Sequence, residues 1–278
     1  MNDNSPDAPT NPVDLAIDDE IAVITMTAVT SRNALSPALL AGLNSALDEI
    51  ASRAEDSNGS VRCVVLTGEG DGFCAGADLS AGDGADLLDD EGRLDLGIGL
   101  DRTYHPLLYR LRDLHCPFVT AVNGVAAGGG MSLALMGDLV LAAESATFLQ
   151  AFRHIGLSPD MGATFLLPRL VGFGRAMELS LLGEKLDART ALEWGLVNRV
   201  TADDDLLPEA RKIATTLATG PTLALRLTRE AMWRSVESTF EQQLATEREN
   251  QRLLGQTSDF MAGVRGFLKK QPARFEGR

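Results

Sequence analysis

Residues 118–136 read FVTAVNGVAAGGGMSLALM, which joins an apolar run, a glycine-rich turn and a run of small apolar residues. Phe118–Val122 predicts a buried strand, because it combines aromatic and β-branched residues without a polar alternation. Asn123–Gly130 predicts a tight turn, since glycine adopts backbone conformations that other residues avoid. Ser132–Met136 predicts a short helix. The succession of strand, glycine turn and helix indicates an α/β fold.

The same succession occurs earlier in the chain. Residues 64–78 read VVLTGEGDGFCAGAD, in which the buried strand predicted for Val61–Leu66 leads into the glycine-rich connection Thr67–Asp78. Backbone N–H groups from two such turns can converge on one oxygen and form an oxyanion hole. The simpler interpretation, that the glycines only shape turns, stays open at this point. Neither turn carries the pattern of a phosphate loop or of a dinucleotide-binding loop.

Outside the two turns, further strands are predicted at Ala22–Met26 and Leu139–Ala142, with a short one near Leu15. Ser36–Pro37 predicts the start of a long helix, because serine is a favoured N-cap and proline is favoured in the first turn. Further helices are predicted at Tyr104–Leu114, Phe165–Val171, Arg175–Leu182, Ala188–Trp194, Leu206–Leu217, Pro221–Arg234 and Phe240–Leu254.

These elements predict three regions: a flexible tail at 1–12, an α/β core at 13–204 and a helical region at 205–278. Within the core, the acidic and glycine-rich segment 80–102 has no clear period. It predicts a mobile surface loop with room for one short helical turn.

Composition excludes several classes of function. The net charge of −14 opposes binding to nucleic acid or to an anionic membrane surface. No run of about 18 uninterrupted apolar residues is present, so no membrane span is expected. The three cysteines cannot all pair within one chain, which predicts a reduced, cytoplasmic protein. The three histidines lack the spacing of metal ligands, so no metal is expected.

Val64–Asp78 and Asn123–Gly130 resemble two signature segments of the enoyl-CoA hydratase/isomerase (crotonase) superfamily. Asn33–Leu35, Leu157–Asp160 and the terminal Phe267–Phe275 are also similar, so the resemblance covers nearly the whole chain after residue 15. It implies a crotonase-like core of repeated ββα units and a helical C-terminal trimerisation region. It also implies an acyl-CoA thioester substrate, a homotrimer or dimer of trimers, and no cofactor beyond the coenzyme A of the substrate.

The resemblance assigns the two oxyanion-hole donors to the backbone N–H groups of Ala77 and Gly129. It also identifies a departure from the family's hydratases, which use two glutamates. The matching positions here are Ser132 and Phe152, and neither is a carboxylate. Standard hydratase chemistry is therefore not expected, because it needs groups that activate a water and protonate a carbon.

Asp160 is the remaining candidate for a catalytic acid and base. Isomerases of the family carry an aspartate at the matching place, and the sequence is most similar to isomerases of aerobic phenylacetate catabolism. The competing interpretation is a helix N-cap, because aspartate before a helix often has that role. Burial beside Phe152 and Met161 is expected to raise the pKa of Asp160 and to suit it for proton transfer.

The remaining positions implied by the resemblance are substrate contacts. Arg32 matches a position near the coenzyme A phosphates, and Lys270 matches a segment that lies near a neighbouring subunit's coenzyme A. Both residues are equally compatible with ordinary surface charges. The full set of expected substrate-binding residues is Arg32, Ala34, Ala75, Asp78, Tyr104, Ser132, Phe152 and Lys270.

Three functions follow as hypotheses. The first is an enoyl-CoA isomerase that shifts a double bond through a dienolate, with Asp160 as its single acid and base. The second is an enoyl-CoA hydratase that uses an unrecognised base. The third is a non-catalytic acyl-CoA-binding member of the family.

Overall fold

The computed structural model describes residues 11–53, 60–78 and 87–277. Most of the predicted N-terminal tail, residues 1–10, lies outside the described residues. The first part of the acidic loop, residues 80–86, also lies outside them.

The described residues form ten strands, most of them short. In chain order they are β1 Val13–Asp18, β2 Ile21–Met26, β3 Cys63–Gly68, β4 Gly72–Cys74, β5 Phe118–Val122, β6 Val125–Ala127, β7 Leu139–Ala143, β8 Thr147–Leu149, β9 Leu186–Asp187 and β10 Arg199–Thr201.

Eleven α-helices lie in the same described part of the chain. They are α1 Pro37–Ser52, α2 Leu96–Gly99, α3 His105–Arg112, α4 Gly129–Ala134, α5 Ala163–Val171, α6 Phe173–Leu182, α7 Ala188–Glu193, α8 Leu206–Ala218, α9 Thr222–Ser235, α10 Phe240–Leu254 and α11 Ser258–Lys269.

The strands form two sheets, and the chain passes repeatedly from one sheet to the other. The larger sheet has the order β1-β2-β3-β5-β7-β10, and the smaller has the order β4-β6-β8-β9. β3, β5 and β7 each lie in the larger sheet, and the strand after each lies in the smaller one. A helical segment follows each pair, which gives the expected α/β fold of repeated ββα units.

This topology brings the two glycine turns together. β4 and β6 are parallel neighbours, with Cys74 paired to Ala126. Because the ends of parallel neighbours meet at the same edge of a sheet, the turn after β4 and the turn after β6 lie side by side.

The helical C-terminal part packs on the core through apolar residues and one buried ion pair. α8 covers the larger sheet with Leu206, Ala210 and Ala214, all of them buried. Arg229 of α9 is 7% exposed and donates to the Asp138 carboxylate and, at 2.7 Å, to the carbonyl oxygen of Leu114. None of the described helices is both long enough and apolar enough to span a membrane.

Several features differ from the sequence expectation, among them the short strands β8, β9 and β10, which were not predicted. β4 and β6 occupy stretches that were expected to be turns, because three-residue strands carry no readable alternation. The end of the segment expected to be a loop is helical from residue 96 onward. There, α2 continues into the π-helical turn Leu100–Tyr104. α11 has no counterpart among the predicted helices.

Candidate active site

The turn after β4 touches the turn after β6 through glycines. A β-carbon on Gly76 would lie 2.8 Å from the Ala127 carbonyl oxygen and 3.5 Å from the Gly129 nitrogen. A β-carbon on Gly130 would lie 2.0 Å from the Cys74 carbonyl oxygen. Gly76 also has a φ of +93°, which other residues rarely adopt. The glycines are therefore required by close backbone contact as well as by turn geometry.

This contact leaves two backbone donors free. Ala77 forms a parallel bridge with Leu35, whose N–H donates to the Gly76 carbonyl oxygen at 2.7 Å. Gly129 is the first residue of α4, a position whose N–H has no acceptor within the helix. Among the residues that the structure describes, neither the Ala77 N–H nor the Gly129 N–H has a hydrogen-bond acceptor. Two such donors on adjoining turns can stabilise one oxyanion.

The segment 32–35 lines the first turn and holds it in place. The Ala75 N–H donates to the Arg32 carbonyl oxygen at 2.9 Å. Asn33 is fully buried with a φ of +56°, and its Nδ2 donates to the Gly72 carbonyl oxygen at 2.8 Å. Ala34 is buried beside it. The structure thus brings Arg32, Ala34, Ala75 and Ala77 together.

A second asparagine has a comparable role that the sequence reasoning missed. The Asn123 Oδ1 accepts from the Gly68 N–H at 3.1 Å, and its Nδ2 donates to the Gly70 carbonyl oxygen at 2.9 Å. Asn33 therefore fixes the segment 32–35 to the first turn, and Asn123 fixes the start of the second turn to the first. The residue type alone could have indicated these roles, because asparagine often caps turns and tolerates left-handed backbone conformations.

Asp160 lies in a compact turn against α4. The turn contains Met161, with a φ of +49°, and Gly162, with a φ of +82°. The Met161 sulfur packs on Gly129, where a β-carbon would lie 2.6 Å from it. The Ser132 hydroxyl donates to the Asp160 carbonyl oxygen at 3.1 Å. Asp160 is therefore held next to the Gly129 donor.

The N-cap interpretation of Asp160 is wrong. The N-cap of α5 is Gly162, and no side chain caps that helix. Within the described chain, no hydrogen bond to the Asp160 carboxylate occurs. Burial raises the pKa of Asp160 above its usual value, and the nearby His105 opposes the rise. A half-buried carboxylate without a partner is suited to exchange a proton with a ligand.

Tyr104 and Asp78 lie on the same side as Asp160. Burial is the largest cause of the raised pKa of Tyr104. Electrostatic interactions with Asp160, Cys74 and Asp78 raise that pKa further. Tyr104 ends the π-helical turn, and the next residue, His105, has its Nδ1 3.1 Å from the Asp101 carboxylate. The segment after the acidic loop thus places Tyr104 among the site carboxylates.

Ser132 and Phe152 are buried next to the second turn. Ser132 is fully buried, and its hydroxyl is directed to backbone carbonyls. The Phe152 ring lies 3.8 Å from the position of a β-carbon on Gly128. A role for either in contacting substrate stays a prediction. In this structure the Ser132 hydroxyl already donates to a backbone carbonyl oxygen, and the Phe152 side chain is an apolar ring.

Arg32 and Lys270 lie on the surface. Arg32 pairs with Asp71 at 3.1 Å beside the first turn. Lys270 is exposed at the end of α11 with a φ of +55°. Contacts of these two side chains with coenzyme A stay predictions.

Cys74 is unsuited to act as a nucleophile. It is fully buried, and burial raises its thiol pKa to about 12, so the thiolate is scarce at neutral pH. Across the described chain, no group of three or more His, Cys, Asp or Glu side chains has the geometry of a metal site.

A groove of about 820 Å³ borders the Asp160 turn. His105 and Gly162 line its near side, and the rings of Phe165 and Trp233 stack within it with centroids 6.4 Å apart and planes 8° from parallel. The other apolar lining residues are Leu108, Met136 and Leu166.

Comparison with known proteins agrees with this architecture. Residues 16–278 match the family described as Enoyl-CoA hydratase/isomerase. The chain is 46% identical over 220 residues to 1,2-epoxyphenylacetyl-CoA isomerase of Escherichia coli, covering 79% of this chain and 82% of that protein. It is 42% identical over 262 residues to a probable enoyl-CoA hydratase of Rhodobacter capsulatus, covering 94% of this chain and 96% of that protein.

Solved structures give the same result. The crystal structure of a putative enoyl-CoA hydratase from Streptomyces coelicolor superposes with a TM-score of 0.87 at 32% identity, covering 100% of this chain and 98% of that chain. An enoyl-CoA hydratase from Bacillus anthracis superposes with a TM-score of 0.86 at 30% identity, covering 96% of this chain and 100% of that chain. The two adjoining glycine turns with free backbone donors are part of this fold. This chain belongs to the enoyl-CoA hydratase/isomerase family, because it matches the family over residues 16–278 and shares the fold of its solved members.

Proposed function

We propose that this acyl-CoA enzyme is an enoyl-CoA isomerase with Asp160 as its only acid and base. The observation that carries the proposal is one half-buried carboxylate without a hydrogen-bond partner, on a turn that packs against the helix whose first residue, Gly129, has a free N–H. The thioester oxygen would accept from the N–H groups of Ala77 and Gly129. Those donors stabilise the negative charge that develops on the oxygen in the transition state.

The proposed reaction moves one proton and one double bond. The Asp160 carboxylate removes a proton from C2 of a 3-enoyl-CoA, and the electron pair of that C–H bond delocalises onto the thioester oxygen. The resulting dienolate takes the same proton from Asp160 at C4. The double bond shifts from C3–C4 to C2–C3, and the carboxylate is regenerated. The raised pKa of Asp160 suits it to both steps.

The surroundings of Asp160 disfavour hydration. Addition of water needs a group that deprotonates the water and a group that protonates the carbon. The Ser132 hydroxyl donates to a backbone carbonyl, and the Phe152 ring has no polar atom. The proposed isomerisation needs no water and no cofactor beyond the coenzyme A of the substrate.

We propose that the acyl group is cyclic or otherwise unsaturated beyond C2. The E. coli relative is named for an epoxide of phenylacetyl-CoA, a ring-bearing acyl group. The near-parallel rings of Phe165 and Trp233 form an aromatic wall in the groove beside the Asp160 turn, with the Arg169 guanidinium over one face of Phe165, 3.8 Å from its centroid. Flat rings pack favourably against such a wall.

Hydration is the second candidate function, because the Rhodobacter relative, which aligns with 94% of this chain, is named a probable enoyl-CoA hydratase. The discriminating experiment supplies a 3-enoyl-CoA and a 2-enoyl-CoA separately to the enzyme. Isomerase activity yields the conjugated 2-enoyl-CoA from the first and no 3-hydroxyacyl-CoA from the second. Rapid formation of 3-hydroxyacyl-CoA would reject the isomerase proposal.

Asp160→Asn tests the catalytic role. We expect turnover to fall by about 10³-fold, the middle of the range of about 10²–10⁴-fold for general acid–base catalysis, while acyl-CoA still binds. Equal rates for wild type and variant would reject the assignment. Tight binding to the wild type without exchange of the C2 proton in heavy water would instead support a non-catalytic acyl-CoA-binding protein.

We further propose a homotrimer or a dimer of trimers. The support is a set of exposed apolar side chains on α6, α10 and α11, since large exposed apolar patches are typical of subunit interfaces. Light scattering after size exclusion tests this assembly, and a monomeric mass would reject it. The exposed apolar residues are Phe173, Leu181, Phe240, Phe260, Met261, Phe267 and Leu268.

The three buried, unpaired thiols support the proposal of a reducing, cytoplasmic setting.

A further inference from the structure

We propose that Ser132 is a positioning residue, which holds the Asp160 turn on α4 and so fixes the acid/base relative to the oxyanion donor. The inference rests on the proposed function of Asp160. It assigns Ser132 an action through Asp160 and not through contact with the substrate.

The hydrogen bond of Ser132 joins two distant parts of the chain. Its Oγ lies 3.1 Å from the Asp160 carbonyl oxygen and 3.4 Å from the Gly128 carbonyl oxygen. The Gly128 carbonyl already accepts from the N–H groups of Met131 and Ser132, at 3.0 and 3.2 Å. The Asp160 carbonyl accepts one backbone N–H, that of Ala163 at 3.0 Å, and so keeps a free lone pair. The single hydroxyl proton of Ser132 is therefore assigned to Asp160, whose carbonyl oxygen is the nearer acceptor and lies 28 residues along the chain.

The Asp160 turn needs outside support. Met161 is not glycine, yet it has a φ of +49° in the left-handed region, which is disfavoured for a residue with a β-carbon. Such a conformation persists where neighbouring contacts determine it. α4 provides two of those contacts, the Ser132 hydroxyl on Asp160 and the surface of Gly129 under the Met161 sulfur.

One short helix thus carries both halves of the proposed chemistry. Gly129 at its start supplies an oxyanion donor, and Ser132 one turn later holds the backbone of the acid/base. Because proton transfer depends steeply on the distance between the reacting atoms, a small displacement of Asp160 is expected to slow turnover without weakening binding.

Ser132→Ala removes the hydroxyl without adding volume, and Thr120→Val is its matched control. The Thr120 hydroxyl is also fully buried and also donates to a backbone carbonyl of α4, that of Ala134 at 2.7 Å. In the described part of the chain, no hydrogen bond joins Thr120 to the Asp160 turn. The melting temperatures of both variants are expected to decrease by a similar amount, because each variant lacks one buried hydrogen bond.

The kinetic outcome separates the two variants. We expect Ser132→Ala to lower kcat by about 10-fold with KM within about two-fold of wild type, and Thr120→Val to leave both constants within about two-fold. Ser132→Cys, which keeps a weak donor in a slightly larger side chain, should give an intermediate kcat. Unchanged kcat in Ser132→Ala, or an equal fall in Thr120→Val, would overturn this inference while the isomerase proposal stands. A wild type that does not isomerise 3-enoyl-CoA would overturn both.

Discussion

Gly76 packs so closely on Ala127 that a β-carbon on Gly76 would lie 2.8 Å from the Ala127 carbonyl oxygen, with the Gly129 nitrogen next at 3.5 Å. This contact is the point at which the turn after β4 meets the turn after β6. It sets the separation of the two free N–H groups, because Ala77 follows Gly76 directly. The proposed oxyanion hole would thus depend on the two turns in contact and not on either turn alone.

Gly76→Ala is expected to disturb the hole without unfolding the core. The new methyl would lie 2.8 Å from the Ala127 carbonyl oxygen, and alanine rarely adopts a φ of +93°. The turns must separate, so kcat/KM should fall by about 10²-fold, the loss seen when one oxyanion donor is removed. Steady-state kinetics with 3-enoyl-CoA gives this value.

Gly174→Ala provides the control for that substitution. Gly174 lies in α6, and a β-carbon there would meet nothing within 4 Å. Its kcat/KM should equal that of the wild type. A Gly76→Ala variant as active as this control would show that the two turns do not set the oxyanion geometry.

The pH dependence of activity should report Asp160. Burial raises the pKa of its carboxyl above the ordinary value of about 3.9, and the base must be ionised to remove a proton. Activity is therefore expected to fall as the pH drops through the raised pKa. The acid limb of log kcat/KM should have its midpoint above about 4 and should be missing from the residual activity of Asp160→Asn. A midpoint at the ordinary value would contradict the desolvation of this carboxylate.

The same shift predicts a gain in stability for Asp160→Asn. A raised folded-state pKa means that folding favours the protonated carboxyl. That contribution is fully present below the unfolded pKa, near 3.9, and is lost as pH rises through the folded pKa. At pH 8 the variant should therefore melt at a higher temperature than the wild type. The difference should shrink towards pH 4. A lower melting temperature for the variant at pH 8 would contradict this assignment.

Arg229 is predicted to hold the helical C-terminal part on the core. Its buried guanidinium donates to the Asp138 carboxylate and to two backbone carbonyls. Burial raises the pKa of Asp138, and Arg229 opposes the rise. Arg229→Ala would leave Asp138 buried without its partner, and should cost about 3–5 kcal/mol in the free energy of unfolding.

Urea denaturation measures that loss, with Arg252→Ala as the control. Arg252 pairs with Glu249 on the exposed face of α10, where ion pairs contribute little. A loss for Arg229→Ala no larger than that for Arg252→Ala would show that the buried pair does not secure α9.

The sequence predicted the regular elements well where they are long or strongly patterned. The strand expected at Ala22–Met26 is β2, and the helix expected at Phe240–Leu254 matches α10. β4 and β6 were missed because three residues between glycines are too few to show a period. α11 was missed although Thr257 caps it, because its two glycines weaken a helical pattern.

The candidate site was predictable only in its backbone parts. The sequence identifies Gly76 directly, because its φ of +93° and its contact with the Ala127 carbonyl oxygen both exclude a side chain, and Gly129 belongs to a run of three glycines. The use of the Ser132 hydroxyl was not predictable, because its acceptor lies 28 residues along the chain. Nor does the sequence alone reveal that Gly162 caps α5 and leaves the Asp160 carboxylate free.

The most direct test is a crystal structure of Asp160→Asn with a bound 3-enoyl-CoA. The thioester oxygen should lie about 2.7–3.1 Å from both the Ala77 and the Gly129 nitrogens, with the residue 160 side chain facing C2 and C4 of the acyl group. A thioester oxygen bound away from those two nitrogens, or a different carboxylate facing C2, would contradict the proposed chemistry.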